Sequence, residues 1–416
     1  MDIVYACCAG LDVHKDTIVV CVRRLVTGAK RKAASVVRTF RTMTEEILAL
    51  GDWLAQQGVT QVAMESTGVY WKPIWNLLEG GPFELQLVNA QHIKQVPGRK
   101  TDVKDCEWIA QLLQCGLLRG SFVPPPPQRD LRELTRQRRQ LIQAKAAVAN
   151  RIQKVLEDAN IKLGSVATDV LGVSGRDMLQ ALIAGQEDPQ VLAELARRKL
   201  RAKIPQLREA LRGRVTEHHR FLLKLLLEEV TQIETWINRL SERIVAVLPD
   251  PFVKAIALVV TIPGIDERAA ENILAETGVD MNQFPTAGNL ASWSGMCSGN
   301  RQSGGKRWNG RTTKGNVWLR ATLVQVAWAA SHTKNTYLAA QYRRLAGRRG
   351  KKRALVALGH TILQIIYYVL KRSTPYHELG ADYLERHDKD RLQASLVRRL
   401  ERMGHRVILE PSEPAA

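Results

Sequence analysis

The stretch Val4–Arg23, VYACCAGLDVHKDTIVVCVR, decides the fold class. Its two ends, Val4–Cys8 and Thr17–Arg23, are apolar and contain β-branched residues, so they predict two strands. Between them lies the hexapeptide GLDVHK, which places Asp12 just after the first strand. Two strands this early in the chain indicate a sheet-based domain at its start.

Helices alternate with strands over the following hundred residues. Met43–Gln57 has the apolar spacing of an amphipathic helix, and Thr101–Cys115 also indicates a helix. Val59–Met64 and Glu84–Val88 are short apolar runs typical of strands. This alternation predicts an α/β domain over residues 1–123.

A run of four prolines, Pro124–Pro127, separates that domain from a helical connector predicted over residues 128–250. Two stretches of the connector have the seven-residue apolar repeat of a coiled coil. The repeat positions are Leu134, Leu141, Val148 and Val155 in the first stretch, and Leu223, Leu226, Val230, Ile233, Ile237, Leu240, Ile244 and Val247 in the second. An antiparallel hairpin within one chain and a dimerisation stalk fit this pattern equally well.

The remaining sequence predicts a mainly helical domain over residues 251–375 and a mixed-charge tail over 376–416, disordered in part from Pro411 onward. Phe252–Thr261 and Arg268–Thr277 are the first two helices. The tetrapeptide Ile262–Ile265, IPGI, between them has the apolar–glycine–apolar form of a helix-hairpin-helix turn. The amides of such a turn can face a phosphate backbone.

The charge of the chain points to a polyanionic partner. Its 416 residues carry 61 Lys and Arg against 41 Asp and Glu, a formal net charge of +20. Sixteen Lys and Arg but no Asp or Glu lie between Met281 and Ser373, as expected for a phosphate-contacting surface. Aromatic residues that could stack on unpaired bases are interleaved with these cations: Trp293, Trp308, Trp318, Trp328, Tyr337 and Tyr342.

Several classes of protein are excluded by what the sequence lacks. The longest apolar runs, Ala255–Ile265 and Thr361–Leu370, are shorter than the roughly 20 residues of a membrane span, and the N-terminus lacks signal-peptide features. Glycine-rich nucleotide-binding motifs are absent, which argues against an NTPase or a dehydrogenase. The six cysteines include no C-x-x-C pair, so neither a zinc site nor a disulfide framework is indicated. We expect a protein of a reducing cytosol.

Four carboxylates have the placement expected of a metal site. Asp12 and Glu65 follow predicted strands, and Asp102 and Asp105 share one face of a predicted helix. Ribonuclease-H-like folds gather carboxylates in this way around Mg²⁺, or Mn²⁺ in its place, because hard cations prefer oxygen ligands. Each acid alone has an ordinary explanation; Asp102, for example, also suits a helix N-terminus. We expect the neighbouring Asp16 to be a solvent-facing strand residue.

These motifs resemble the DEDD transposases of bacterial insertion sequences, namely the insertion-sequence one-ten family and the allied eleven-eleven group. The similarity covers about residues 8–120 and 252–335 in matching order and spacing. Its motifs are Gly10–Lys15, Met64–Trp71, Val88–Ala90, Lys100–Asp105, Ile262–Ile265, Leu290–Gly295, Gln302–Arg307, Gly310-Arg311 and Lys314–Asn316.

The resemblance implies a RuvC-like N-terminal domain, a coiled-coil connector and a C-terminal transposase domain. It further implies that Asp12, Glu65, Asp102 and Asp105 bind metal and that Ser303 is the nucleophile. A structured non-coding RNA, the bridge RNA, would pair with donor and target DNA and so select the sequence. The protein would act as a dimer of dimers, in the bacterial cytoplasm in association with the nucleoid.

The residues around Ser303 suit phosphate chemistry. Gly304 and Gly305 form a flexible turn that lets a phosphate approach the backbone closely. We predict nucleic-acid contacts from nearby cations: Lys306, Arg307, Arg311, Lys314 and Arg320. Ser292, Ser294 and Ser298 are alternative nucleophiles in the same segment. Since no histidine adjoins Ser303, its activation would come from the metal, in a site that could combine two subunits.

The predicted function is therefore RNA-guided recombination of donor and target DNA through a phosphoserine intermediate. Two alternatives remain open. One is a RuvC-like metal-dependent nuclease or junction resolvase, which uses activated water and would tolerate the loss of Ser303. The other is a non-catalytic scaffold that binds nucleic acid, for which the basic segment alone would suffice and the carboxylates would be dispensable.

Overall fold

The computed structural model describes residues 3–26, 32–66, 68–89, 93, 105–299, 301–304, 306–309, 311–387 and 389–409, and at 301–303 and 306–309 it describes the backbone. The chain divides into two compact units, Met1–Pro124 and Pro125–Ala416. The first is a mixed α/β unit, and the second is largely helical. The expected outline, an α/β N-terminal part followed by helices, is confirmed.

The first unit is built on a six-stranded sheet with the order β3-β2-β1-β4-β5-β6. The first three strands form an antiparallel meander, whereas β4 and β5 run parallel to β1 and β6 is antiparallel to β5. The strand bounds are β1 Cys7–Val13, β2 Thr17–Val26, β3 Lys32–Arg41, β4 Gln61–Glu65, β5 Glu84–Val88 and β6 Gly120–Ser121.

Helices cover both faces of this sheet. Helices α1 (Thr44–Gln56) and α2 (Trp71–Leu78) share a core with Leu11 and Met64 on one face. Helix α3 (Asp105–Gln114) packs on the other face, against side chains that alternate with those. This two-sided burial suits the apolar residues in the middle of β4, Val62, Ala63 and Met64, which are all buried.

Helix α3 approaches the sheet so closely that β1 needs a glycine beneath it. A Cβ atom on Gly10 would lie 2.5 Å from the carbonyl oxygen of Cys106 and closer still to the amide nitrogen of Ala110. The Cys8 thiol also donates a hydrogen bond to the carbonyl of Ala110, at 3.5 Å. The backbone of α3 therefore rests directly on β1.

The strands predicted in this unit and the helix predicted over Met43–Gln57 are present, with differences in their bounds. The first strand extends to Val13, so the prediction that Asp12 follows the strand is wrong. The strand prediction for Asp16 is also wrong, because this exposed residue lies in the bend between β1 and β2. Strands β3 and β6 and helix α2 have no counterpart in the sequence prediction. The N-terminal part of the predicted helix Thr101–Cys115 lies outside the described residues.

The second unit begins with a long helical hairpin. Helix α4 (Pro126–Asp158) has its first turn built from prolines, which suit a position where no amide hydrogen is needed. Helix α9 (Glu217–Val247) packs along it antiparallel, as the ion pairs Arg151–Glu229 and Lys145–Glu234, both 2.7 Å, demonstrate. Of the two interpretations of the heptad pattern, the structure has the intramolecular hairpin.

Four short helices connect the two arms of this hairpin and share a core with them. They are α5 Leu163–Val166, α6 Val173–Ile183, α7 Pro189–Glu194 and α8 Ile204–Ala210, with a 3₁₀ turn at Arg198–Lys203. We call residues 162–216, which contain these helices, the insert. Its end is fixed by Thr216, which caps α9 together with His219, and His219 contacts Asp158 at 2.9 Å.

A second core in this unit is formed by the C-terminal helices and the start of α4. The elements are α10 Asp250–Val259, α11 Glu267–Thr277, a 3₁₀ turn at Met281–Gln283, α12 Ala287–Trp293, β7 Arg301–Ser303, β8 Lys306–Asn309, α13 Val317–Ser331, α14 Tyr337–Arg349 and α15 Lys351–Arg372. The tail adds α16 Tyr383–His387 and α17 Lys389–Arg402, and the predicted disorder from Pro411 lies outside the described residues.

Two features of this core bear on the sequence interpretation. Helix α15 is long and apolar enough to cross a membrane, but half of its apolar window is buried, and Ile362, Leu363 and Ile366 are fully buried in the core.

The helices flanking the IPGI turn are confirmed as α10 and α11. Gly264 of that turn packs against α13, since a Cβ there would lie 2.6 Å from the amide nitrogen of Ala330. The phosphate-binding role of the turn stays a prediction.

Candidate catalytic and nucleic-acid-binding sites

Asp12 and Glu65 lie side by side on neighbouring parallel strands. Leu11 of β1 is paired with Met64 of β4, so the next residue on each strand occupies the adjacent row. Side chains alternate along a strand, which places both carboxylates on the face opposite Leu11 and Met64. That is the face on which α3 packs.

Asp105 is the first residue of α3 and lies at the same end of the sheet. Ala110 of the helix lies over Cys8 and Gly10, and the carbonyl of Cys106, one turn earlier, also reaches Gly10. The helix therefore runs antiparallel to β1, with its N-terminus toward Asp12. The positive end of the helix dipole favours carboxylates at this position.

The surroundings of these acids suit a hard cation only in part. The side chain of Asp12 is 21% exposed, and its Oδ2 atom lies 3.2 Å from Nε2 of His14. All three described acids offer oxygen ligands of the kind that Mg²⁺ prefers. Among the described residues, however, no three Asp, Glu, His or Cys side chains are close enough together to hold a metal. Asp102 lies outside the described residues, so the four-carboxylate site stays a prediction.

Ser303 lies at the tip of a two-stranded hairpin. Strands β7 and β8 are antiparallel, with Ser303 paired to Lys306 across a two-residue turn. Gly304, the first residue of the turn, has a φ of +57°, a conformation that glycine adopts freely. A Gly-Gly pair between two strands is a hairpin signal. The sequence interpretation of these glycines is a flexible turn, without the two flanking strands that the structure has.

The pairing continues below the hairpin and forms what we call the serine arm, residues 297–313. A bridge joins Ser298 to Thr312, the amide of Gly299 donates to the carbonyl of Arg311 at 2.8 Å, and that of Thr313 donates to Cys297 at 3.1 Å. At the base, a Cβ on Gly315 would lie 2.6 Å from the Cα of Gly295. The two ends of the arm therefore cross in close contact.

The alternative serines differ sharply in exposure. Ser294 is fully buried, and its hydroxyl donates to the carbonyl of Ala291 at 2.9 Å. This geometry leaves it no access to a substrate. Ser292 and Ser298 are exposed, the first on α12 and the second on the serine arm.

A large cationic groove lies beside the base of the serine arm. Its volume is about 1380 Å³, and its lining includes Ser298 and Cys297 of the arm together with residues of α13, α14 and α15. None of the lining residues is an Asp or Glu. The cations of this basic groove are Arg311, Arg320, Arg349, Lys352 and Arg353.

The structure places the predicted nucleic-acid contacts in three settings. Arg311 and Arg320 line the basic groove, and Nη1 of Arg320 donates to the Thr312 hydroxyl at 3.1 Å. Lys314 is exposed but is not part of the groove lining. Lys306 and Arg307 belong to β8, of which the backbone is described.

One tryptophan is well placed to stack on a base. Trp328 on α13 is 59% exposed, and its ring lies 4.5 Å from that of His332. Trp293 instead packs on Phe284, and Trp318 lies beneath the guanidinium group of Arg136. Of the described tryptophans in the acid-free segment, Trp328 therefore offers the largest free surface.

A buried ionic cluster that the sequence does not indicate lies at the start of α13, shortly after the serine arm in the chain. Glu276 of α11 is 2% exposed and pairs with Arg136 at 2.7 Å and Arg132 at 3.2 Å, both on α4. Asn316, the N-cap of α13, donates to the same carboxylate at 2.6 Å. We call these four residues the Glu276 clamp. Glu276 lies 140 residues after Arg136 and 40 residues before Asn316, so no local signal indicates the cluster.

Comparison with known proteins identifies the family. A model described as a transposase of the DEDD IS110 type matches residues 9–161, and one described as a transposase of the IS116/IS110/IS902 family matches residues 256–343. The chain belongs to the IS110 family of insertion-sequence transposases. The resemblance noted from the motifs is thereby confirmed.

Individual relatives of this transposase agree with the assignment. A probable family 20 transposase of Pseudomonas aeruginosa is 26% identical over 333 residues, which cover 78% of this chain and 88% of the relative. The transposase for insertion sequence element IS1111A of Coxiella burnetii is 25% identical over 374 residues, 88% of this chain and 90% of the relative. Both the carboxylates and the serine arm fall inside the matched ranges, whereas residues 162–255 lie outside both family models.

Proposed function

We propose that this transposase is an RNA-guided DNA recombinase that works through a phosphoserine intermediate at Ser303. The observation that carries the proposal is the position of Ser303, at the tip of a hairpin on an arm whose base borders the basic groove. If the scissile phosphate lies near the tip, the groove cations would neutralise neighbouring phosphates of the same nucleic-acid backbone. Transposition of DNA is the activity of the family; the serine chemistry and the RNA guide are our inference.

The N-terminal unit would contribute a RuvC-like metal site. Its central strand order, with an antiparallel β3-β2-β1 meander continued by parallel β4 and β5, supports a ribonuclease-H-like fold. In this proposal, Asp12, Glu65, Asp102 and Asp105 are the metal ligands. Mg²⁺ bound by them would polarise the scissile phosphate and stabilise the oxygens that enter and leave.

Ser303 would perform two transesterifications. Its Oγ atom forms a bond to phosphorus as the bond from phosphorus to the 3′ oxygen breaks, and the serine proton ends on that oxygen. The 3′-hydroxyl of the other duplex then attacks the phosphoserine, which forms a new phosphodiester and restores the serine. Each step exchanges one ester for another, so no ATP is needed, in keeping with the missing nucleotide-binding motifs.

RNA guidance would account for the character of the protein surface. Phosphate contacts made by groove cations would carry no sequence information, so the choice of site would need another source. A structured bridge RNA that pairs with donor and target DNA supplies that choice. Trp328 could hold one of its unpaired bases by stacking. Assembly as a dimer of dimers, in the bacterial cytoplasm near the nucleoid, completes the proposal.

Strand exchange in solution tests this function as a whole. Wild-type protein with its co-purifying RNA, Mg²⁺ and labelled donor and target duplexes should yield hybrid donor–target strands. Ribonuclease treatment before addition of DNA should abolish the product, because sequence selection would be lost. Asp105→Asn should reduce it at least about a hundredfold, while Glu107→Gln, in the same first turn of α3, serves as the control.

The two alternatives predict different products in the same assay. Hybrid strands that form equally well after ribonuclease treatment would refute RNA guidance. Cleaved duplexes without any hybrid strand would favour the metal-dependent nuclease. Binding without any change in the DNA, unaffected by Asp105→Asn, would favour the non-catalytic scaffold.

A further inference from the structure

The insert carries a cationic surface that belongs to neither family model. Between Glu194 and Glu217 the sequence has eight Lys and Arg but a single acid, Glu209. All eight cations are exposed. They lie on the loop before α8, on α8 itself and on the segment that leads to α9.

Some of these cations are tied to neighbouring groups. Arg197 pairs with Asp177 at 2.7 Å, and Lys203 donates to the carbonyl of Val166 at 3.1 Å. Arg201 and Arg208 share Glu194, at 3.5 and 3.3 Å. Among the described residues Arg198 and Lys199 have no such partner. These two charges are therefore available to an external anion.

Arg198 and Lys199 border an open cavity of about 610 Å³. The opposite wall consists of residues 166–169 and 172–175, most of which are small, including Ala167, Gly172 and Ser174. Asp169 is the only acid of this lining, and its Oδ1 atom already accepts a hydrogen bond from the amide of Leu171 at 2.9 Å. We call this feature the insert pocket.

The backbone of Arg198 is held in an unfavourable conformation. Its φ is +51°, in the left-handed region where a non-glycine side chain is strained. A glycine would adopt this φ without strain. The residue is instead an arginine, and its guanidinium group forms no ion pair with a described carboxylate. Strained residues of this kind concentrate at binding sites, where the side chain serves a ligand.

We propose that the insert pocket, through Arg198 and Lys199, binds the sugar–phosphate backbone of a nucleic acid. A repeating polyanion matches several exposed cations in a row, and a wide pocket with small residues accepts a backbone more readily than a globular protein. The contact is separate from the serine chemistry and would persist if Ser303 were not the nucleophile. Either duplex DNA or folded RNA could supply this phosphodiester backbone.

The salt dependence of binding tests this proposal. Full-length protein carrying Arg198→Gly and Lys199→Gln would be titrated with a random-sequence DNA duplex and, separately, with a hairpin RNA. Glycine relieves the strain at residue 198, so the variant should melt no lower than wild type. The control, Arg239→Gln with Arg243→Gln, also removes two charges, from exposed α9 positions that have no ion-pair partner among the described residues.

Loss of two phosphate contacts should make the slope of log affinity against log salt shallower by about 2. The control should change it by less than half as much. A shallower slope for one polymer only would support the pocket and identify that polymer as its ligand. Slopes for both polymers equal to those of the control would overturn the proposal.

Discussion

Gly10 illustrates how one residue can position a whole helix, here the one that begins with the proposed metal ligand Asp105. Its missing side chain lets α3 rest on β1, and α3 begins with Asp105 at the end of the sheet that carries Asp12. A methyl group here would meet helix backbone, which cannot rotate away as a side chain can. The geometry of the proposed metal site therefore depends on a residue that takes no part in the chemistry.

We expect Gly10→Ala to lower the free energy of unfolding by about 1–3 kcal/mol, the usual range for an overpacked core. It should also reduce metal-dependent cleavage, because Asp105 would shift with α3. Chemical denaturation and a cleavage assay measure the two effects. Gly120→Ala is the control, since a Cβ there meets only a Gln86 side-chain carbon at 4.0 Å. Equal stability of the two variants would contradict the close packing described.

At the scale of elements, the Glu276 clamp connects α4, α11 and the start of α13. Burial lowers the pKa of Arg132 to about 10, because desolvation disfavours its charge. The charge is retained at neutral pH, so the carboxylate of Glu276 must compensate it. Asn316 links the same carboxylate to the segment that follows the serine arm.

Glu276→Ala should destabilise the protein by about 3–5 kcal/mol, since it leaves buried guanidinium groups without a counter-charge. Thermal unfolding measures the loss. Glu229→Ala removes the exposed partner of Arg151 and should cost about 1 kcal/mol or less. A loss at Glu276 no greater than at Glu229 would mean that the clamp does not hold these helices together.

Elements with a local signal were predictable from sequence. Strand β5 was predicted with its observed bounds, Glu84–Val88, because Leu85, Leu87 and Val88 form a short apolar run. Strand β3 was missed because it is an edge strand with exposed small and charged residues. The first strand was placed too early because Gly10 and Asp12 are poor strand formers, although pairing on both sides and the contact with α3 favour them there.

At the scale of the whole molecule, the site depends on contacts that no local pattern contains. The heptad repeats predict two long helices. They do not determine the packing partner of each helix, because the same apolar seam can pack against a helix of another chain. The role of Ser303 came from family motifs, because a serine beside two glycines is chemically ordinary. The acid-free segment predicts a phosphate-contacting surface. It does not predict the basic groove, because the walls of the groove come from helices that only tertiary packing brings together.

The central claim is that this transposase forms a covalent bond between Ser303 and DNA. The most direct test incubates the protein and its co-purifying RNA with Mg²⁺ and end-labelled duplexes, followed by a denaturing gel. Wild type and Ser298→Ala, an exposed serine on the same arm, should both show labelled DNA at protein mass, and Ser303→Ala should not. A labelled band that persists in Ser303→Ala, or cleaved DNA without a covalent band in any lane, would contradict the account.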